Sequence, residues 1–218
     1  MKFAMATCHD ANYKALADLT WDQNRKLYCD RWNIEAFVKT DNFNTSIPIG
    51  FERCFLIKEI MSLNQHEYVF WTGTDVMITN HAIPLNQFIY DGFTIVIGCD
   101  FNEINDDLFL IKNDQRGKDF IDMMIDNLEK YRYHPYKEQG IIIDKSKEPN
   151  TEVKVLPQSF INSYHYPLYC PYKGARNHND YMGFNGNWKF GDFAIHCPDQ
   201  NMETRLNLFN QILPLVIK

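Results

Sequence analysis

Tyr68-Val69-Phe70-Trp71-Thr72-Gly73-Thr74-Asp75-Val76-Met77-Ile78 is the stretch that decides the fold. Its first half is apolar, aromatic and β-branched, the composition of a strand buried on both faces. The run then turns small and polar and delivers Asp75. Open α/β folds keep their ligand sites at the carboxyl ends of strands, so a carboxylate there is a candidate ligand. A second run, Asp192-Phe193-Ala194-Ile195-His196, ends on an imidazole. Asp75 and His196, each on a strand end, together form a candidate site for one divalent metal, and a metal there would carry a nucleotide diphosphate. Each residue also has a plainer reading, Asp75 as the cap of a turn and His196 as a satisfied core histidine.

Around this stretch, strand-like and helix-like segments alternate. Residues 2–8 read as a first strand, 11–19 as a short helix, and Thr20-Trp21-Asp22-Gln23 as a capping box with Thr20 at the N-cap. Ile34–Val38 alternates as a strand. Phe51, Cys54, Phe55, Lys58 and Met61 recur at helical spacing, which predicts a helix over 50–63 with Lys58 as the odd member of its face. Residues 94–99 and 108–111 are further buried strands, and Phe120, Met123, Met124 and Leu128 mark a helix. Residues 157–190 are dense in Tyr, Asn, Gly, His and Pro and read as a long functional loop. From about residue 200 to 213 the chain is an amphipathic helix. The pattern predicts an α/β class fold, a Rossmann-like α/β/α sandwich around a mainly parallel sheet. Neither GxGxxG nor GxxxxGKS occurs, which disfavours a dinucleotide fold and a P-loop ATPase.

The 218 residues, 45% hydrophobic, suffice for one α/β domain and are too few for two, so residues 1–218 are expected to form one domain. Net charge is −6, so nucleic acid is not an expected partner. The six cysteines (Cys8, Cys29, Cys54, Cys99, Cys170 and Cys197) show no CxxC spacing, which argues against a zinc site and for free thiols in a reducing compartment. The first residues are too short and too soon polar for a signal peptide or membrane anchor. The expectation is a soluble, cytoplasmic protein with no membrane segment.

In order and spacing the motifs resemble those of GT-A nucleotide-sugar transferases, and specifically glycosyltransferase family 34, the retaining galactosyl-, mannosyl- and xylosyltransferases. Ala6-Thr7-Cys8 resembles the family's first nucleotide-contacting strand, and Phe70–Asn80 its Trp-rich run into DxD. Ile104–Asn113 is similar to the Asn-containing segment before a strand ending in Arg-Asn. Glu138-Gln139 stands at the family's Asp-Gln, Leu156-Pro157-Gln158 and Asn162-Ser163-Tyr164 at its late strand and loop, and Gly191–His196 at the run into its metal-binding histidine. Three positions depart: Gly73 replaces the first Asp of DxD, Asp106 a small residue, and Glu138 an Asp.

The resemblance implies a GT-A fold and a metal-dependent retaining hexosyltransferase, of bacterial or viral type, acting on a nucleotide-diphosphate sugar. Asp75 and His196 would hold the ion; oxygen ligands suit Mg²⁺ or Mn²⁺, and the imidazole tilts the choice to Mn²⁺. Ala6, Thr7, Cys8 and Thr74 would contact the nucleotide, with Tyr13 either stacking on the base or packing in a helix core. Lys58 would either reach the diphosphate or lie along the surface. Asn105, Asp106, Glu138 and Gln139 would bind the donor sugar, although Asp106-Asp107 also reads as a solvated turn. Asp106 or Glu138 would face the anomeric carbon as nucleophile or ion-pair stabiliser. Lys173 and Arg176 would neutralise the diphosphate or remain solvated. A UDP-sugar, with glucose or galactose, is favoured over a GDP-sugar, and the acceptor is an undefined sugar or glycan. Two other functions fit the same residues: a nucleotide-sugar binder weakened by loss of the first Asp, and another metal-dependent phosphoryl or nucleotidyl enzyme. Fold alone does not separate them.

Overall fold

The computed structural model describes residues 1–169 and 178–218. β1 (Phe3–Cys8) leads into a continuous helical stretch: a 3-10 turn at Ala11–Tyr13, α1 (Lys14–Ala17), a π-type segment at Asp18–Arg25, and α2 (Lys26–Trp32). β2 (Glu35–Lys39) and α3 (Glu52–Ser62) precede β3 (Tyr68–Thr72) and β4 (Val76–Ile78). β5 (Ile95–Cys99), β6 (Ile104–Lys112), α4 (Gln115–Asp126), α5 (Leu128–Tyr131) and α6 (Lys137–Ser146) follow. β7 (Val153–Leu156), α7 (Gln158–Ile161), β8 (Ser163–Tyr164), β9 (Ala194–His196) and α8 (Met202–Ile212) end the described chain.

The main sheet has the order β2-β1-β3-β6-β5-β7. All its strands run parallel except β6, which is antiparallel to both neighbours. This agrees with the expected α/β sandwich and mainly parallel sheet. Alternate residues go to opposite faces because the side-chain period of a strand is two. Ala4, Val69, Trp71, Ile97 and Phe109 face α3, α4 and α6. Met5, Phe70, Val96 and Leu110 face the first helical stretch and the second sheet. Both faces are covered, which is why these strands read as unbroken apolar runs. The second sheet, β4-β9-β8, lies with Val76, Ile78 and Ala194 toward the main sheet and Met77 and Ile195 toward α8.

Three local expectations are corrected. Thr20 is not an N-cap: helix runs through it, and its hydroxyl donates to Leu16 O at 3.0 Å and Thr74 O at 2.7 Å. Asp10 caps the stretch instead, accepting from Asn12 N and Tyr13 N. On α3 the buried positions are Cys54, Leu56, Ile57, Ile60 and Met61, while Phe55 is exposed, so the buried face is rotated away from Lys58. The segment 157–190 is not all loop, since it contains α7 and β8. Cys170, Lys173 and Arg176 lie outside the described residues; the other five cysteines are free thiols. Among the described residues, no helix is long and apolar enough to cross a membrane.

Candidate active site and metal centre

β1 and β3 run in the same direction and end side by side, so Cys8 and the Gly73-Thr74-Asp75 turn meet at one edge. Because β6 is antiparallel, its first residues, Asn105, Asp106 and Asp107, arrive at that same edge. Gly73 N–H donates to Asp107 O at 2.7 Å. β9 pairs antiparallel to β4 with His196 opposite Val76, and Cys197 N–H donates to Asp75 O at 3.0 Å. Four chain segments separated in sequence therefore converge on one edge.

Asp75, Asp107 and His196 each place a ligand atom within 4.8 Å of the others. His196 is fully buried, and its Nδ1–H donates to Asn162 Oδ1 at 2.9 Å. That bond leaves Nε2 facing outward, without a hydrogen-bond partner, 3.3 Å from Asp107 Oδ2 and 3.4 Å from Asp75 Oδ1. Burial pushes the imidazole toward the neutral form, but Asp75 and Asp107 outweigh it and raise its pKa to about 9. Two carboxylates and one buried, oriented imidazole suit a divalent cation of Mn²⁺ or Mg²⁺ type. Asn162 supplies the outer hydrogen bond that metal-binding histidines usually have.

Each carboxylate is also held from behind. Arg205 Nη2 lies 2.9 Å from Asp75 Oδ2. Arg53, nine-tenths buried, lies 2.8 Å from Asp106 Oδ1, 3.1 Å from Asp107 Oδ1 and 3.4 Å from Glu138 Oε1. Burial raises the Asp107 carboxyl, yet Arg53 and His196 overcome this and hold it below the usual carboxylate range. For Asp106 the balance is reversed: burial, seconded by the Glu138 charge, lifts it well above that range despite Arg53. Asp106 Oδ2 and Glu138 Oε2 are buried without hydrogen-bond partners. Glu138 fits because Gly50 has no side chain, as a Cβ there would come within 1.9 Å of Glu138 Oε1. The turn itself is pinned by buried Arg25, which donates to Gly73 O at 2.6 Å and Thr72 Oγ1 at 2.5 Å.

Two cavities meet here and share Arg53 and Asp107. One, about 440 Å³, is lined by Cys8, Tyr13, Phe43, Trp71, Thr74, Asp75 and Arg205 among others. The other, about 340 Å³, is lined by Asn105, Asp106, Glu138, Gln139 and Tyr164 among others. The structure thus brings together Cys8, Tyr13, Thr74 and Asp75 on one side and Asn105, Asp106, Glu138 and Gln139 on the other. Ala6 and Thr7 lie just behind, fully buried in β1; the Thr7 hydroxyl accepts from Arg25 at 3.4 Å. Lys58 stands apart from both cavities, its ammonium 2.7 Å from Asp122 on the surface where α3 meets α4. Sequence reasoning missed Asp107, Arg53, Arg205 and Asn162 as site residues. The one available signal was the Asp106-Asp107 pair at the start of a strand, and its register against Gly73 was not legible.

Residues 90–205 match the sequence profile of the galactosyl transferase GMA12/MNN10 family. The chain belongs to that family. It is a glycosyltransferase, and its fold is the GT-A fold. No curated protein matches this GMA12/MNN10 family member in sequence. Among solved structures, it is similar to a glycosyltransferase involved in glycosylation of the major capsid of PBCV-1, with 12% identity, TM-score 0.74, and 97% of this chain and 100% of that chain covered. The galactosyltransferase LgtC, solved in complex with donor and acceptor sugar analogs, gives 11% identity, TM-score 0.60, and 99% and 96% coverage. GlyE of Streptococcus pneumoniae TIGR4 gives 14% identity and TM-score 0.61, and this family member spans 63% of its length.

Proposed function

We propose that residues 1–218 form one catalytic domain that moves a hexose, with retention, from a nucleotide-diphosphate sugar to a sugar or glycan acceptor, using a divalent metal. The favoured donor is UDP-glucose or UDP-galactose. The observation that carries this reading is the buried His196 Nε2, which makes no hydrogen bond of its own and lies 3.4 Å from Asp75 and 3.3 Å from Asp107 where the two cavities meet.

Asp75, Asp107 and His196 would hold the ion, Mn²⁺ in preference to Mg²⁺. Bound there, it supplies charge stabilisation to the departing diphosphate. Tyr13, 37% exposed in the larger cavity, is placed to stack on the base, with Cys8 and Thr74 beside it and the Ala6-Thr7 backbone behind. The role expected of Lys58 passes to Arg205, a cation in the same cavity, oriented by Asp75. A fixed cation beside the leaving group stabilises the charge that grows there.

The smaller cavity suits the sugar. Asn105 and Gln139 offer amides to its hydroxyls. Asp106 Oδ2 and Glu138 Oε2 are buried acceptors awaiting donors, and a site of that kind rejects sugars that leave them unpaired. Glu138 or Asp106 faces the anomeric carbon, as nucleophile or ion-pair stabiliser.

The test is release of nucleoside diphosphate from a panel of UDP- and GDP-sugars with Mn²⁺, Mg²⁺ or EDTA, on wild type, Asp75→Ala and Glu138→Gln. We expect one UDP-hexose to be hydrolysed slowly with Mn²⁺, and both variants to lose at least about a hundred-fold in kcat. Release undiminished in EDTA would remove the metal from the reading. UDP binding with no turnover of any donor, even with candidate acceptors present, would favour the binder.

A further inference from the structure

We propose that Asp107 is the carboxylate missing from the β3–β4 turn, supplied from the neighbouring antiparallel strand. This rests on the metal-dependent reading above and explains how the chain tolerates glycine at position 73. By resemblance, position 73 is where the first carboxylate of the DxD motif would stand. The structure puts Asp107 directly across the strand boundary from it, with Gly73 N–H bonded to Asp107 O at 2.7 Å.

The two positions lie against one another. A Cβ on Gly73 would lie 3.0 Å from Asp107 Oδ1, 3.1 Å from its Cγ and 3.2 Å from its Cβ. A side chain at 73 would thus leave the backbone in tight contact with Asp107, which would have to give by a few tenths of an ångström. Carboxylates at both positions would also meet at close range with like charge.

An independent observation shows that the Asp107 carboxylate serves the same centre as Asp75. His196 is fully buried, its Nδ1 is committed to Asn162, and its Nε2 has no hydrogen-bond partner. That nitrogen is nearly equidistant from the two carboxylates, at 3.3 Å from Asp107 and 3.4 Å from Asp75. Arg53 takes the other oxygen of Asp107, and Arg205 the other oxygen of Asp75. One oxygen of each is left for the shared centre. The count of two carboxylates and one imidazole is therefore kept, and only the strand of origin has changed. The exchange has one further consequence. Asp107 shares Arg53 with Asp106 and Glu138, so the ion site and the sugar-side carboxylates are joined through a single guanidinium.

The experiment is a calorimetric titration of Mn²⁺, in saturating UDP, into four proteins: wild type, Asp107→Gly, Gly73→Asp, and the double exchange. Asp107→Gly is expected to weaken Mn²⁺ at least about ten-fold. Gly73→Asp alone is also expected to weaken it, because the new side chain meets Asp107. The double exchange is expected to return to within about three-fold of wild type, a departure from additivity that two unrelated losses would not produce. Asp107→Asn, which keeps the side-chain volume, should also lose at least about ten-fold and guards against misfolding of the exchanged protein. Wild-type affinity in both Asp107→Gly and Asp107→Asn, or a double exchange that folds yet binds no better than Asp107→Gly, would overturn the exchange while leaving the metal reading intact. Absence of Mn²⁺ binding by wild type would overturn both.

Discussion

At the residue scale the site depends on side chains that hold its ligand groups in place. His196 can present Nε2 only because Asn162 holds Nδ1, and both residues are fully buried. Asn162→Ala would leave the imidazole free to turn and one of its nitrogens unpaired. We expect Mn²⁺ affinity to fall about 10–100-fold and stability by about 1–3 kcal/mol, read by titration and by urea unfolding. Asn162→Asp, which keeps an acceptor oxygen, should recover most of the metal affinity. A purely structural role for Asn162 would show the stability loss without the change in metal binding. Arg53 is the second such residue: its guanidinium lies 5.2 Å from the Trp71 ring and compensates three carboxylates that would otherwise repel one another.

At the element scale the decisive contact is between β5 and α7. The β5–β6 register shifts between Ile97 and Gly98, where the strand pair is irregular. Gly98 then lets α7 and its following residue approach closely, since a Cβ there would stand 2.7 Å from Ile161 Cγ2 and 2.9 Å from Asn162 Cβ. Gly98→Ala must push this segment away, and with it the acceptor that orients His196. We expect a loss of about 1–3 kcal/mol, together with weaker Mn²⁺ binding. Unfolding midpoints and the same titration check both; a variant that keeps wild-type metal affinity would show that α7 does not set the geometry of the centre. On the same side of the main sheet, the π-type segment carries Arg25 and Asn24 into the protein. Asn24 pairs with both backbone groups of Ile78, holding β4 in place at 2.8 Å for each bond.

At the scale of the whole molecule, His81 ties the helical stretch after β1 to the segment around Ile217. Its Nε2 accepts from Asn24 Nδ2 at 3.2 Å, its backbone N–H donates to Ile217 O at 2.8 Å, and its carbonyl accepts from Trp32 Nε1 at 2.9 Å. Burial lowers its pKa from 6.5 to about 4. The unfolded chain therefore binds the proton more readily, and the neutral, buried form favours folding. This contribution is fully present above pH 6.5 and is lost as pH falls toward 4. The shift corresponds to at most about 3 kcal/mol. Urea midpoints should fall between pH 7 and pH 5 in wild type, and the fall should be shallower in His81→Asn. Equal slopes for the two proteins would refute the assignment.

The sequence alone determined the α/β class, the mainly parallel sheet, the run into Asp75, the late strand ending in His196 and the family. These are local or periodic properties: a strand buried on both faces needs an unbroken apolar run, and a turn at its end needs small residues. Thr20 and the buried face of α3 were misread because helix-face position and capping depend on what packs alongside, and spacing alone does not reveal it. Only the tertiary structure decided that Asp107, Arg53, Arg205 and Asn162 join the site. Their places follow from an antiparallel strand in a parallel sheet, which brings the start of β6 to the end of β3. Register between strands distant in sequence is set by packing over the whole sheet, and a carboxylate that has moved from one strand to its neighbour becomes visible only when the two are laid side by side.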